Sequence, residues 1–170
     1  MTRWAERRGV RRDSQHDAIC VLCEKYAEQF GELHGRALAA VEFEVSAGAG
    51  FIDVLIRLGP GGRSGEPLNL IIEAKSLDEA ISGGDVLRQL RMYASSHYRG
   101  SGELAALYLV TSHELSEAAL RILRASDVRV VAPNLDDLHA LLDPLQNELR
   151  EMLAVHGATD DFITPRRGRR

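Results

Sequence analysis

The chain reads as an α/β domain, a central mixed β-sheet flanked by helices, with elements in the order α-β-β-β-α-β-α-β-α. Three observations predict it. Three strand-type segments follow one another before any helical crossover, which makes an antiparallel meander. After them helical and strand-type segments alternate, which joins strands through crossovers. The 170 residues are 45% hydrophobic, enough apolar material for one core in one domain. Aromatic residues make up only 5%, so aliphatic side chains must fill most of that core.

The first helix is expected from Asp13 to about Ala39, because Gln15, Ile19, Leu22, Cys23, Tyr26, Phe30 and Leu33 recur at helical spacing. Val41, Phe43 and Val45 then alternate with Glu42 and Glu44, the period of a half-buried strand. The small, Gly-rich run Ser46–Gly50 turns the chain into a second strand, Gly50–Leu58. Gly59–Pro67 is a loop by composition, and Leu68–Leu77 is the third strand.

Ser82–Asp85 is a turn ending on a residue suited to cap a helix, and Val86, Leu90, Tyr93 and Ala94 carry that helix to about His97. Leu104–Thr111 is an apolar strand, followed by a helix from about Leu115 to Ala125. Val128–Pro133 reads as a short buried strand. The last helix is expected from Leu135 to about His156, with a kink at Pro144. The domain therefore spans 13–156, between a basic N-terminal arm at 1–12 and a flexible basic tail at 157–170.

No apolar run approaches the roughly 20 residues of a membrane span. The Arg-rich N-terminus has no apolar segment of the secretory type. A soluble, cytoplasmic protein is the expectation. The net charge of −4 argues against non-specific nucleic-acid binding by the surface as a whole. Its distribution is uneven: Arg3, Arg7, Arg8, Arg11 and Arg12 crowd one end, and Arg166, Arg167, Arg169 and Arg170 the other. Such ends suit phosphate backbones, and equally suit solvated termini. Cys20 and Cys23 have the C-x-x-C spacing, but no second pair completes a structural zinc site. They read as packed thiols.

Charge appears where buried strands should carry none. Asp53 interrupts the second strand, and Glu73 and Lys75 interrupt the third. Residues two apart share a face, so Glu73 and Lys75 point the same way, their Cα atoms about 6.6 Å apart. Asp53 is expected on the face of Phe51, Leu55 and Arg57, opposite Glu73 if the strands are neighbours. Two carboxylates that close repel, and a divalent cation removes the conflict. Oxygen ligands of this kind suit Mg²⁺ or Mn²⁺. Lys75 is then placed to orient an attacking water or to stabilise charge on a phosphate. The other reading is a structural ion pair, with Lys75 bridging Asp53 and Glu73. On the following helix Gln89 and Tyr93 are four apart and stack on one side, near the strand ends. His113 closes the fourth strand and reads as a capping or surface residue.

The ordered set Asp53, nineteen residues, Glu73-Ala74-Lys75, then Gln89-x-x-x-Tyr93 resembles the PD-(D/E)xK nuclease superfamily, and within it the RecB-like nucleases. The resemblance implies a restriction-endonuclease-like core and hydrolysis of DNA phosphodiester bonds, in repair, processing or defence. It implies Asp53 and Glu73 as metal ligands for Mg²⁺ or Mn²⁺, Lys75 assisting hydrolysis, and Gln89 and Tyr93 beside the phosphate. Its implied partners are DNA, with a homodimer or a larger complex, and no membrane. Ile52 stands where a proline is usual. Members often add a glutamate from the first helix, for which Glu24 and Glu28 point away from the apolar stripe, leaving Glu44 of the first strand as a further candidate. Two cysteines do not make the four-cysteine cluster site of some relatives. The alternative is a catalytically silent nucleic-acid-binding or interaction subunit of the same fold.

Overall fold

Residues 14–76, 82–98, 103–135 and 140–163 are described by a computed structural model. The Arg-rich stretches at 1–12 and 166–170 lie outside the described residues. Two short helices open the fold, α1 (Ser14–Lys25) and α2 (Ala27–Leu33). Strands β1 (Leu38–Ala47), β2 (Gly50–Leu58) and β3 (Leu68–Lys75) follow, then α3 (Gly83–Tyr98), β4 (Leu104–Thr111), α4 (Glu117–Arg124) and β5 (Val128–Val131). A single 3-10 turn at Ala140–Leu142 leads into α5 (Asp143–Ile163).

The five strands form one sheet in the order β1-β2-β3-β4-β5. β1, β2 and β3 are antiparallel, and β3, β4 and β5 parallel, so the meander and the crossovers expected from the sequence both form. Ile72, Leu70, Val54, Ile56 and Tyr108 pack against α1, α2 and α5 on one side of the sheet. Leu55, Ile71 and Leu109 pack against α3 and α4 on the other. β3 is buried along nearly its whole length, as a central strand between two helical layers should be.

Several boundaries differ from the periodicity reading, among them the start of the last helix, which is Asp143 and not Leu135. The first helical region breaks at Tyr26 and ends at Leu33. Gly35, with φ of 64°, lets its own N–H reach Glu32 O and that of Arg36 reach Gly31 O, the paired bonds of a Schellman ending. The freed residues join β1, which begins at Leu38. α3 starts before Asp85, because Ser82 Oγ accepts the Asp85 N–H. Gly83 is required there, since a Cβ would lie 2.8 Å from Ala119 O. Pro144 does not kink α5. It is the second residue of that helix, where a missing N–H costs nothing. α5 also continues beyond His156 to Ile163.

The meander carries one irregularity that positions the site. Phe43 and Val54 pair and both face the α1, α2 and α5 layer. Val45 and Ile52 pair two residues farther along, yet both face α3 and α4. Side-chain alternation is therefore broken in both strands at the rung between them, which holds Glu44 and Asp53. Glu44 has a φ of 52°, left-handed backbone that few non-glycine residues adopt. Pairing of β2 with β3 also stops here: the last partners on this side are Val54 and Ile72.

Candidate active site

The three charged strand residues converge where β2 leaves β3. Asp53 Oδ2 accepts the backbone N–H of Ala74 at 2.9 Å. The carboxylate thus takes the place a strand carbonyl would hold in a continuing ladder. The expectation that Asp53 shares the face of Leu55 is corrected by the break in alternation. Ile52 turns into the α3 side, and Asp53 turns toward α1 and the gap between the strands.

Glu73 and Lys75 do share a side of β3, and Lys75 Nζ lies 3.0 Å from Glu73 Oε1. The Glu73 side chain is only 4% exposed, and its second oxygen, Oε2, is buried without a hydrogen-bond partner. Burial, and then the charge of Asp53, pushes its carboxyl up to about 8, against the pull of Lys75. An orphaned acceptor beside a second carboxylate is the signature of a site short of positive charge. Two oxygen donors of this kind fit Mg²⁺ or Mn²⁺, which take one or two carboxylates and fill their remaining positions with water and substrate oxygens.

Gln89 and Tyr93 meet as their spacing predicts: Gln89 Nε2 donates to the Tyr93 hydroxyl at 3.1 Å. Tyr93 is buried, and its phenol is held in the neutral form by burial and then by the charge of Glu73. The β1–β2 turn packs against Tyr93, with an ideal Cβ on Gly50 only 3.0 Å from its ring.

The residue that the sequence reading passed over is His16. Its Nε2 lies 3.3 Å from Asp53 Oδ1, and its Nδ1 faces Cys20 Sγ at 4.0 Å and Asp17 at 3.5 Å. Hydrogen bonding to Asp53 first, then to Cys20, raises its pKa to about 11, so the ring is a cation here. The signal was available, since His16, Ile19, Cys20 and Cys23 recur at helical spacing on one face. α1 thus brings His16 to Asp53, and Glu24 lies two turns farther along the helix. Among the described residues no three His, Cys, Asp or Glu side chains form a ready metal cluster, so neither Glu24 nor Glu28 completes one.

Glu44 is half-buried on the rung of Asp53. His113 is outside the constellation: its ring turns to the carbonyl of Glu114 and its N–H to Thr111 Oγ1. Cys20 and Cys23 are free and buried, as expected of packed thiols, and burial raises both thiol pKa values. Among the described residues no helix is long and apolar enough to cross a membrane.

No protein-family model matches the chain, and no curated protein matches it. Solved structures do. A repair endonuclease from Pyrococcus abyssi aligns with 72% of this chain and 48% of its own, at 16% identity and a TM-score of 0.43. EndoMS, solved as a complex with dsDNA2, aligns with 75% of this chain and 47% of its own, at 17% identity and a TM-score of 0.45. The chain thus spans about half the length of these two. A protein of unknown function, AF1548, aligns over 82% of this chain and 77% of its own, at 16% identity and a TM-score of 0.47. The functional reading rests on the site itself.

Proposed function

We propose that the chain is a metal-dependent nuclease that hydrolyses DNA phosphodiester bonds, of the PD-(D/E)xK type its motif resembles. One observation carries this reading: Asp53, Glu73 and Lys75 meet at the parting of β2 and β3, with a Glu73 oxygen buried and unsatisfied.

Asp53 and Glu73 would hold Mg²⁺ or Mn²⁺. The ion would supply a Lewis acid for a phosphate oxygen and lower the pKa of a bound water. The other roles belong to side chains of this chain. Asp53 is fixed from two sides, by the Ala74 N–H and by His16, so its orientation is set before substrate arrives. With Glu73 holding a cation, the Lys75 ammonium 3.0 Å from it would serve the attacking water or the non-bridging phosphate oxygens. Gln89 Nε2 donates to the Tyr93 hydroxyl, leaving that hydroxyl's own proton to be donated to a phosphate, the role proposed for this pair.

The roles in DNA repair, processing or defence, and the homodimer or larger complex, belong to the same reading. The test is cleavage of plasmid and single-stranded DNA by wild type and Lys75→Ala, with Mg²⁺, Mn²⁺ or EDTA. Metal-dependent cutting lost in the variant supports the assignment, and equal activity of the two sinks it.

A second reading has its own observation. Lys75 on Glu73 and His16 on Asp53 make a network already neutralised in part, as a silent relative would keep for stability. Such a protein would bind DNA or a partner in EDTA and show no products with any metal.

A further inference from the structure

Phe51 lies two residues before Asp53 and is 59% exposed. A lone exposed apolar residue needs no explanation on a protein surface. Three features set this one apart.

Its position is the first. Ile52 is buried in the α3 and α4 layer, so Phe51 before it leaves the strand on the opposite side, and Asp53 turns to that side as well, toward His16 of α1. The ring and the carboxylate therefore share a side, with Cα atoms about 7 Å apart.

Its support is the second. The turn that carries it is locked onto α3: an ideal Cβ on Gly48 would fall 2.7 Å from Ser96 Oγ, and one on Gly50 would fall 3.0 Å from the Tyr93 ring. Phe51 pairs with Ser46 in the β1–β2 ladder. The ring is thus carried on rigid backbone and needs no ordering to meet a ligand. Its surroundings are the third. Ser46 across the ladder is exposed and small, which leaves the ring without an aromatic or aliphatic cover from its partner strand.

We infer that Phe51 is a stacking platform for an unpaired nucleobase next to the phosphate held at Asp53, and that the substrate class is single-stranded or locally unpaired nucleic acid. The inference rests on the nuclease reading for the position of the phosphate. Bases in a duplex are stacked on their neighbours and offer no free face beside the backbone. A base on a single strand does, and stacking on an aromatic side chain is sequence-tolerant because every base has a π-face.

The experiment reads binding without cleavage. A labelled single strand, the same strand with abasic positions, and its duplex are titrated in EDTA by fluorescence anisotropy, against wild type, Phe51→Ala and Phe51→Trp. The single strand binds more tightly than the duplex. Phe51→Ala weakens it about tenfold, the size of one lost stack, and leaves the duplex unchanged. Abasic DNA reproduces the loss with wild type, and Phe51→Trp restores it. Equal single-strand affinity in wild type and Phe51→Ala, an equal loss on both forms, or no binding by wild type overturns the inference. Stacking by a protein that shows no cleavage with either Mg²⁺ or Mn²⁺ leaves Phe51 standing and removes the hydrolytic reading. Lys75-dependent cutting by a protein indifferent to Phe51→Ala does the reverse.

Discussion

His16 Nε2 lies 3.3 Å from Asp53 Oδ1, so the first helix and the second strand are joined at the one carboxylate that also holds the Ala74 amide. Both side chains are largely withdrawn from solvent, 15% and 18% exposed. A charge-assisted bond in that setting is worth about 1.5–3 kcal/mol. His16→Ala is expected to lower stability by about 2 kcal/mol, read as a shift in the urea midpoint at constant slope. An unchanged midpoint would show that the contact carries no energy.

Asp53 has two separable duties. Asp53→Asn keeps an oxygen to accept the Ala74 N–H and removes the charge. Asp53→Ala leaves a buried N–H without a partner, at a cost of about 1–3 kcal/mol. Both should abolish metal-dependent cleavage, while only the alanine variant shows the larger drop in thermal midpoint. Equal destabilisation by the two would argue that charge, and not the amide bond, is what Asp53 gives the fold.

Lys75→Ala should retain the fold, because the Lys75 side chain lies at the end of β3 and is 20% exposed. Cleavage should fall by about two to four orders of magnitude, the usual loss for a positioned acid–base or charge-stabilising group. Product formation per unit time against plasmid measures it, with circular dichroism as the control for folding.

His34 gives the protein a pH dependence away from the site. Its Nε2 lies 2.7 Å from the Tyr108 hydroxyl, with Arg129 on the far side of that hydroxyl and Phe30 edge-on to the same ring. Burial first, then the charges of Arg129 and Arg36, lower its pKa to about 4 from 6.5. The folded state holds His34 neutral, so the unfolded chain binds the extra proton between those values. Its contribution is full above pH 6.5 and is lost as pH falls toward 4, with a slope of at most about 1.4 kcal/mol per pH unit. Thermal midpoints measured across that window should fall less steeply in His34→Gln than in wild type. Parallel curves would remove His34 from the account.

Gly50→Ala tests how tightly the β1–β2 turn sits on Tyr93. The new methyl would lie 3.0 Å from Tyr93 Cε1 and 3.1 Å from its hydroxyl, so the buried ring must move. Overpacking of about 1–3 kcal/mol outweighs the smaller gain from stiffening the unfolded chain. A midpoint at or above that of wild type would mean the ring yields freely.

The sheet and its helices were legible because their apolar residues keep a single period over long stretches. β4 has the bounds that its apolar run predicts, and Glu73 with Lys75 share a side because β3 is regular to its end. The position of Asp53 was hidden for the opposite reason. Parity along β2 puts it with Leu55, and only the left-handed backbone at Glu44 and the loss of pairing to β3 turn it elsewhere. A glutamate does not advertise positive φ as glycine does. Gly35 did advertise it, and a reading attentive to a His-Gly step would have ended the helix there. His16 escaped notice because the stripe was anchored on Gln15, one residue away on the same helix. Both are withdrawn from solvent at the start of α1.

The Ala74 amide has a further use. In an ordinary strand that proton would be shielded by a carbonyl indifferent to ligands. Here it is shielded by the carboxylate proposed to hold the metal, so its chemical shift and its exchange with deuterium would become a gauge built into the backbone. Titrating Mg²⁺ into isotopically labelled protein would move that resonance ahead of those in the regular ladder of β3. One backbone proton would then announce the occupancy of a centre in which it takes no chemical part.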